Sequence, residues 1–498
     1  MPEAEFDVVI VGAGLSGIGA AWHLRERCPQ KSFAILEGRE AIGGTWDLFR
    51  YPGIRSDSDM FTLGYRFRPW TEAKAIADGP SILRYVRATA QEAGIVPRIR
   101  FRHRVVSADW DSASAQWTVV AQTPDGEQHL RARFLLMCAG YYSYEEPYDP
   151  HFPGQEQFEG RIFHAQHWPE DLDWAGRRVI VVGSGATAVT IVPELAKTAA
   201  ATVMLQRSPT WMVSRPSEDR VANAIRAILP SRLAYMLVRW RNVLLQQWVY
   251  RLTRRQPEKV NARLLQMLRQ DLPEDVIARH FTPSYNVWDQ RLCLVPDGDL
   301  FAAVREGRAE VVTDRIARLD AAGIHLESGR HLPADIIVKA TGLNLRLMGG
   351  VAISVDGAPQ HMPGKFTYKT MMFEGVPNLV ATFGYTNASW TLKADLTSEF
   401  ACRLLNELDR RGADLAVAEN EDPELRPEPW LDFTSGYVQR ALASLPLQGS
   451  KHPWRVHQNY LKDLRMIRHG PLEDGVLRFR KAGGRAPAPV AARAVEPA

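Results

Sequence analysis

The chain has 498 residues, 45% hydrophobic and 24% charged, a length that one core does not organise and that implies two or three domains. Its net charge of +4, from 61 Lys and Arg against 57 Asp and Glu, excludes the strong basic field of a nucleic-acid binder. Four separated cysteines, Cys28, Cys138, Cys293 and Cys402, form no C-x-x-C pair, which excludes a redox disulfide or a cysteine zinc site and fits a reducing, cytoplasmic setting.

The first element is a strand, FDVVIVG, reached by residue 6 without the charged start and cleavage site of a signal peptide. It turns at Gly12, Gly14 and Gly17 into an alanine-rich helix, and a second strand, SFAILEG, ends at Glu37. This is a β-α-β dinucleotide fingerprint. The glycines permit the tight turn and let backbone amides approach a pyrophosphate, while Glu37 accepts hydrogen bonds from a ribose. Next come GGTWDLFRYPGIRSD (43–57) and an aromatic strip from Tyr65 to Trp70, a candidate for the substrate walls together with Tyr385 to Trp390.

The run FEGRIFHAQHWP then carries Phe158, Gly160, His164, Trp168 and Pro169. After it the glycine pattern returns in RRVIVVGSGATAVTIVPELA, with Gly183, Gly185 and Ala188, and the strand ATVMLQRSP follows. Where the first unit has Glu37 the second has Gln206 and Arg207, and an arginine can hold the 2′-phosphate that a carboxylate would repel. A solvated strand-end charge is the alternative for Arg207. Two unlike nucleotide sites on one chain imply FAD at the first and NADPH at the second, since both are needed only to pass a hydride onward.

From Ser214 to about Thr282 the sequence is helical and arginine-rich, with apolar residues at helical spacing. Two readings stand: an insert packed over the nucleotide domain, or a basic amphipathic face in peripheral contact with a membrane. No window of about 18 uncharged apolar residues suggests a spanning helix. Strands GIHLES and DIIVKATG, ending at Gly342, close the inserted unit, and the remainder returns to the first. The expected fold is α/β with two Rossmann-like domains. Residues 1–144 and 346–498 form the FAD domain, 145–213 and 296–345 an NADP domain inserted in it, and 214–295 a helical insert and linker. The Pro/Ala-rich stretch 481–498 is expected to be a disordered tail.

FEGRIFHAQHWP fits F-x-G-x-x-x-H-x-x-x-W-P at every fixed position, and Gly43, Gly44, Trp46, Tyr51, Pro52, Gly53 and Asp57 match a second signature that opens G-G-x-W. On these motifs the chain resembles the type I Baeyer-Villiger monooxygenases, a group of class B flavin monooxygenases. RYPGIRSDSDMFTLGYRFRPW and FGYTNASWTLKADL further resemble the ethionamide-activating branch. The resemblance implies an FAD- and NADPH-dependent enzyme that uses O2 to convert ketones to esters or lactones through a C4a-peroxyflavin, and that sulfoxidises thioethers. A heteroatom (N/S) monooxygenase without ketone activity and a non-oxygenating flavin reductase are the alternatives.

By the same resemblance Arg291 is the active-site cation and Asp57 orients it, with Arg55 the rival cation. FAD contacts fall to Gly12, Gly14, Ser16, Gly17, Glu37, Gly44, Thr45, Trp46, Asp57 and Val105. NADP contacts fall to Arg55, Ser56, Gly183, Ser184, Gly185, Ala186, Thr187, Ala188, Val189, Arg207 and Ser208. The chemistry needs no protein base, so His164 is read with Phe158, Gly160 and Trp168 as part of a hinge between the nucleotide domains. No metal is expected.

Overall fold

The structure is a computed structural model that describes residues 4–431, 433–483 and 493. A nine-stranded sheet has Ala4–Val11 at its centre, parallel to Phe33–Leu36 on one side and Gly126–Met137 on the other. Val8, Val9 and Ile10 are fully buried, so this strand is covered on both faces, as a central parallel strand must be. Antiparallel strands Arg104–Asp111 and Gln116–Thr123 extend the sheet, and Leu379–Ala381, far along the chain, adds beside Gly126–Met137. The helix Leu15–Arg27 packs against the long helix Trp390–Arg411, which ends at Gly412 in the left-handed conformation of a glycine cap.

A second sheet is wholly parallel, in the order Glu310–Thr313, Ala201–Gln206, Arg178–Val182, Ile336–Lys339, Arg161–His164. Two segments connect the sheets, and they pair with each other: Tyr142–Pro147 runs antiparallel to Leu343–Leu345. In chain order, the helices Arg220–Ile228, Ser231–Arg255, Pro257–Leu268 and Glu274–His280 follow Ala201–Gln206 and precede Glu310–Thr313. The Asp219 carboxylate caps the first of them, accepting from the Ala222 amide at 2.9 Å.

The four cysteines are buried and free. Among the described residues no helix is long and apolar enough to cross a membrane. Most of the tail expected at 481–498 lies outside the described residues; within it Arg493 forms an ion pair with Glu374.

Candidate functional site

A cleft of about 1240 Å³ opens between the two sheets and is lined from both glycine turns. At the first turn Gly12 has φ +102°, and a Cβ there would lie 2.6 Å from the Cys138 carbonyl oxygen. Gly14 and Gly44 bring two backbones together, since a Cβ on Gly44 would sit 3.1 Å from the Gly14 Cα. The helix that starts at Leu15 has Gly14 as its N-cap and no side-chain cap, so its first amides are free to meet an anion. Glu37, buried at the end of its strand, accepts from the amides of Ala13 (2.7 Å) and Arg39 (2.9 Å). Burial raises its pKa against the pull of those two amides.

The second turn repeats the device with more room. Gly183, at φ +140°, would drive a Cβ to 2.3 Å from the Ala340 carbonyl oxygen, whereas a Cβ on Gly185 would meet nothing within 4 Å. The helix Ala186–Leu195 again begins without a side-chain cap. Arg207 and Ser208 line this end of the cleft, and Gln206 does not: its amide nitrogen donates to His280 O and Thr313 Oγ1. Arg440, from the short helix Gly436–Ala441, lies with its guanidinium 3.5 Å from the Tyr148 ring centroid and also lines the cleft. Burial, and then the charge of Arg207, depress its pKa, which marks two like charges in one neighbourhood.

In the middle of the cleft Arg291 Nη2 meets Asp57 Oδ2 at 2.5 Å. The Asp57 charge is the main cause that raises the Arg291 pKa, so this guanidinium stays charged at any working pH. Arg55 is differently placed, for it pairs with Asp299 through both terminal guanidinium nitrogens, Nη2 donating to Oδ1 at 3.2 Å. Its side chain is 13% exposed against 36% for Arg291, so Arg291 is the cation more open to a small molecule. Tyr141, Tyr142 and Tyr437 line the same part of the cleft, and their hydroxyls lie within the field of the Arg291 charge. Burial pushes Tyr141 up to about 12, so its phenol remains protonated. Its ring stacks on Trp390 (centroids 4.7 Å apart), and Trp390 Nε1 donates to Ser16 Oγ at 2.8 Å.

Residues 75–284 match the family described as flavin-binding monooxygenase-like, and residues 10–74 match the NAD(P)-binding Rossmann-like domain. The FAD-containing monooxygenase EthA of Mycobacterium tuberculosis (strain ATCC 25618 / H37Rv) is 56% identical over 486 residues, 97% of this chain and 99% of that protein. The chain belongs to the FAD-containing monooxygenases. A probable FAD-binding monooxygenase, AlmA of Acinetobacter baylyi, is 46% identical over 96% of this chain and 97% of its own length. The fold is shared with a steroid monooxygenase bound to NADP (TM-score 0.74, 24% identity) and with cyclohexanone monooxygenase from Rhodococcus sp. Phi1 bound to NADP+ (TM-score 0.76, 19% identity). Each alignment covers 96% of this chain and 100% of the other.

In this FAD-containing monooxygenase the cleft is lined by Gly12, Gly14, Ser16, Glu37, Gly44, Thr45, Trp46, Val105, Arg55, Ser56 and Asp57 on one side. Gly183, Ser184, Gly185, Ala186, Thr187, Arg207, Ser208 and Arg291 line it on the other. Gly17, Ala188 and Val189 do not: a Cβ on Gly17 would fall 1.9 Å from Gly12 O, and the other two are fully buried against their sheet. Of the two aromatic strips, Tyr385 and Trp390 reach the cleft, while Tyr65 and Trp70 are core residues packed on Tyr85, the first stacked and the second edge-on.

Phe158, Gly160, His164 and Trp168 lie outside the cleft lining. Phe158 is core, and a Cβ on Gly160 would lie 2.3 Å from Asp335 O and 2.5 Å from the Phe158 ring. Buried His164 accepts the Gln166 amide at Nδ1 (3.1 Å), and burial lowers its pKa to about 4. Trp168 meets the edges of Phe163 and Trp174. Gln166, unremarked in the sequence, donates through Nε2 to Ser143 O (3.0 Å) and Tyr144 O (2.9 Å), tying the signature run to a connecting strand. Tyr141, Tyr142, Tyr437 and Arg440 also went unread. The two tyrosines had a signal, because they follow the carboxyl end of a strand in the first sheet, where ligands of such folds bind; Tyr437 and Arg440 had none.

Proposed function

We propose that this chain is an FAD- and NADPH-dependent Baeyer-Villiger monooxygenase that converts ketones to esters or lactones and also sulfoxidises thioethers. The observation that carries the reading is the Arg291–Asp57 pair, open to a cleft that joins two glycine turns with uncapped helix starts. Bound there, FAD activates O2 and NADPH supplies the hydride.

The protein's part is to hold and to polarise. Gly12, Gly14, Gly44 and the free amides after Gly14 fit one pyrophosphate, with Glu37 at the strand end for the ribose. The open space over Gly185 and the free amides after it fit a second. Arg207 and Arg440, two cations without an ion-pair partner among the described residues, suit the additional 2′-phosphate of NADP and favour it over NAD. Arg291, permanently charged, stabilises the oxyanion that develops on an attacked ketone carbonyl, and Asp57 fixes the guanidinium plane.

The residue chain of the signature serves as the joint. His164 and Gln166 brace the connecting strand Tyr142–Pro147, on which the inserted domain (145–213 and 296–345) moves relative to the rest during hydride delivery and sequestering from water. NADPH consumption in the presence of linear and cyclic ketones, with ester analysis under labelled O2, tests the reading. Ketone-stimulated consumption with one labelled oxygen in the ester supports it. Fast sulfoxidation with no ketone response would assign a heteroatom monooxygenase instead.

A further inference from the structure

Ten of the eleven exposed large hydrophobic side chains among the described residues fall between Val221 and Val249, on two consecutive helices. Along Ser231–Arg255 they recur as Leu233, Leu237, Trp240, Leu244 and Trp248, a spacing of three and four that forms one continuous stripe. The opposite face is firmly seated. The Tyr235 hydroxyl donates to Tyr65 O at 3.0 Å, and buried Arg239 donates to Phe61 O (2.8 Å) and Gly64 O (2.7 Å). The helix is therefore held with its apolar stripe outward.

Charge decides what covers it. From 220 to 255 the sequence has eight arginines and no Asp, Glu or Lys. The exposed side chains of Arg220, Arg232, Arg251 and Arg255 make no ion pair among the described residues, and Arg251 and Arg255 continue the stripe by helical spacing. A second copy packed by a two-fold axis would oppose this basic face to itself, burying like charges together. Tryptophan and leucine flanked by arginine match the headgroup boundary of an anionic lipid layer.

We propose that the stripe Leu233–Trp248, with its flanking arginines, docks on an anionic lipid surface. The seated face links this docking to the cleft through one segment, since Leu63, beside Phe61 and Gly64, lines the cleft wall. Lipophilic substrates dissolved in the lipid are thus presented to the enzyme at high local concentration.

Co-sedimentation of the flavin-loaded enzyme with phosphatidylcholine vesicles, with and without phosphatidylglycerol, tests this. Two variants accompany it, Leu244→Glu with Trp248→Glu and Arg251→Glu with Arg255→Glu, each checked for unchanged flavin content and unchanged turnover of a water-soluble substrate. The expected result is binding at least about tenfold tighter to the anionic vesicles, weakened roughly tenfold or more in both variants. Absence of binding to anionic vesicles, equal binding to neutral ones, or wild-type binding by either variant overturns the proposal. So does a dimer in sedimentation velocity that both variants dissolve.

Discussion

Arg291 keeps its charge as a guanidinium does at any working pH, the Asp57 carboxylate stabilises that charge further, and no alkaline loss of activity arises from this group. Arg291→Ala should lower the rate of ester formation by about 100-fold or more, on the scale of one lost oxyanion donor, while flavin content is unchanged. At the other end of the cleft, Arg440→Ala and Arg207→Ala should each raise the KM for NADPH about tenfold, as expected for a lost charge-assisted bond, and leave the KM for NADH unaltered. Equal effects on both nucleotides would mean that these arginines act on something other than the 2′-phosphate.

Within the second nucleotide turn, two glycines should respond differently to one methyl group. Gly183→Ala forces a Cβ against Ala340 O at positive φ and should cost about 1–3 kcal/mol, seen as a lowered Tm. Gly185→Ala enters open space at an ordinary φ and should leave Tm unchanged while raising the KM for NADPH, because the methyl occupies the ligand's place. Both β-α-β turns were legible in the sequence because strand, glycines and helix start are local to one another. Arg291 and Asp57, 234 positions apart, were paired only by family resemblance, and the structure brings them into contact. The strip Tyr65 to Trp70 misled for a physical reason. Aromatic density marks a core as readily as a pocket, and Tyr65, Phe67 and Trp22 stack on one another there. Tyr437 and Arg440 were invisible because a six-residue helix carries them back to the cleft from the far end of the chain.

The two sheets are joined by the paired segments Tyr142–Pro147 and Leu343–Leu345, braced by the His164–Gln166 run. His164 is buried neutral with its pKa lowered to about 4, below that of an unfolded imidazole, so its contribution is complete above about pH 6.5. That stability is lost as pH falls from about 6.5 towards 4, to a limit on the order of 3 kcal/mol. Chemical unfolding of wild type and His164→Gln across this range should show a flatter acid limb in the variant. The central claim, oxygen insertion steered by the Arg291 cation, is tested most directly by the ratio of ester formed to NADPH consumed in wild type and Arg291→Ala. The wild type should give a ratio near one on its best ketone. The variant should still consume NADPH but release hydrogen peroxide, with a ratio near zero; ester formation at the wild-type ratio in Arg291→Ala would contradict it.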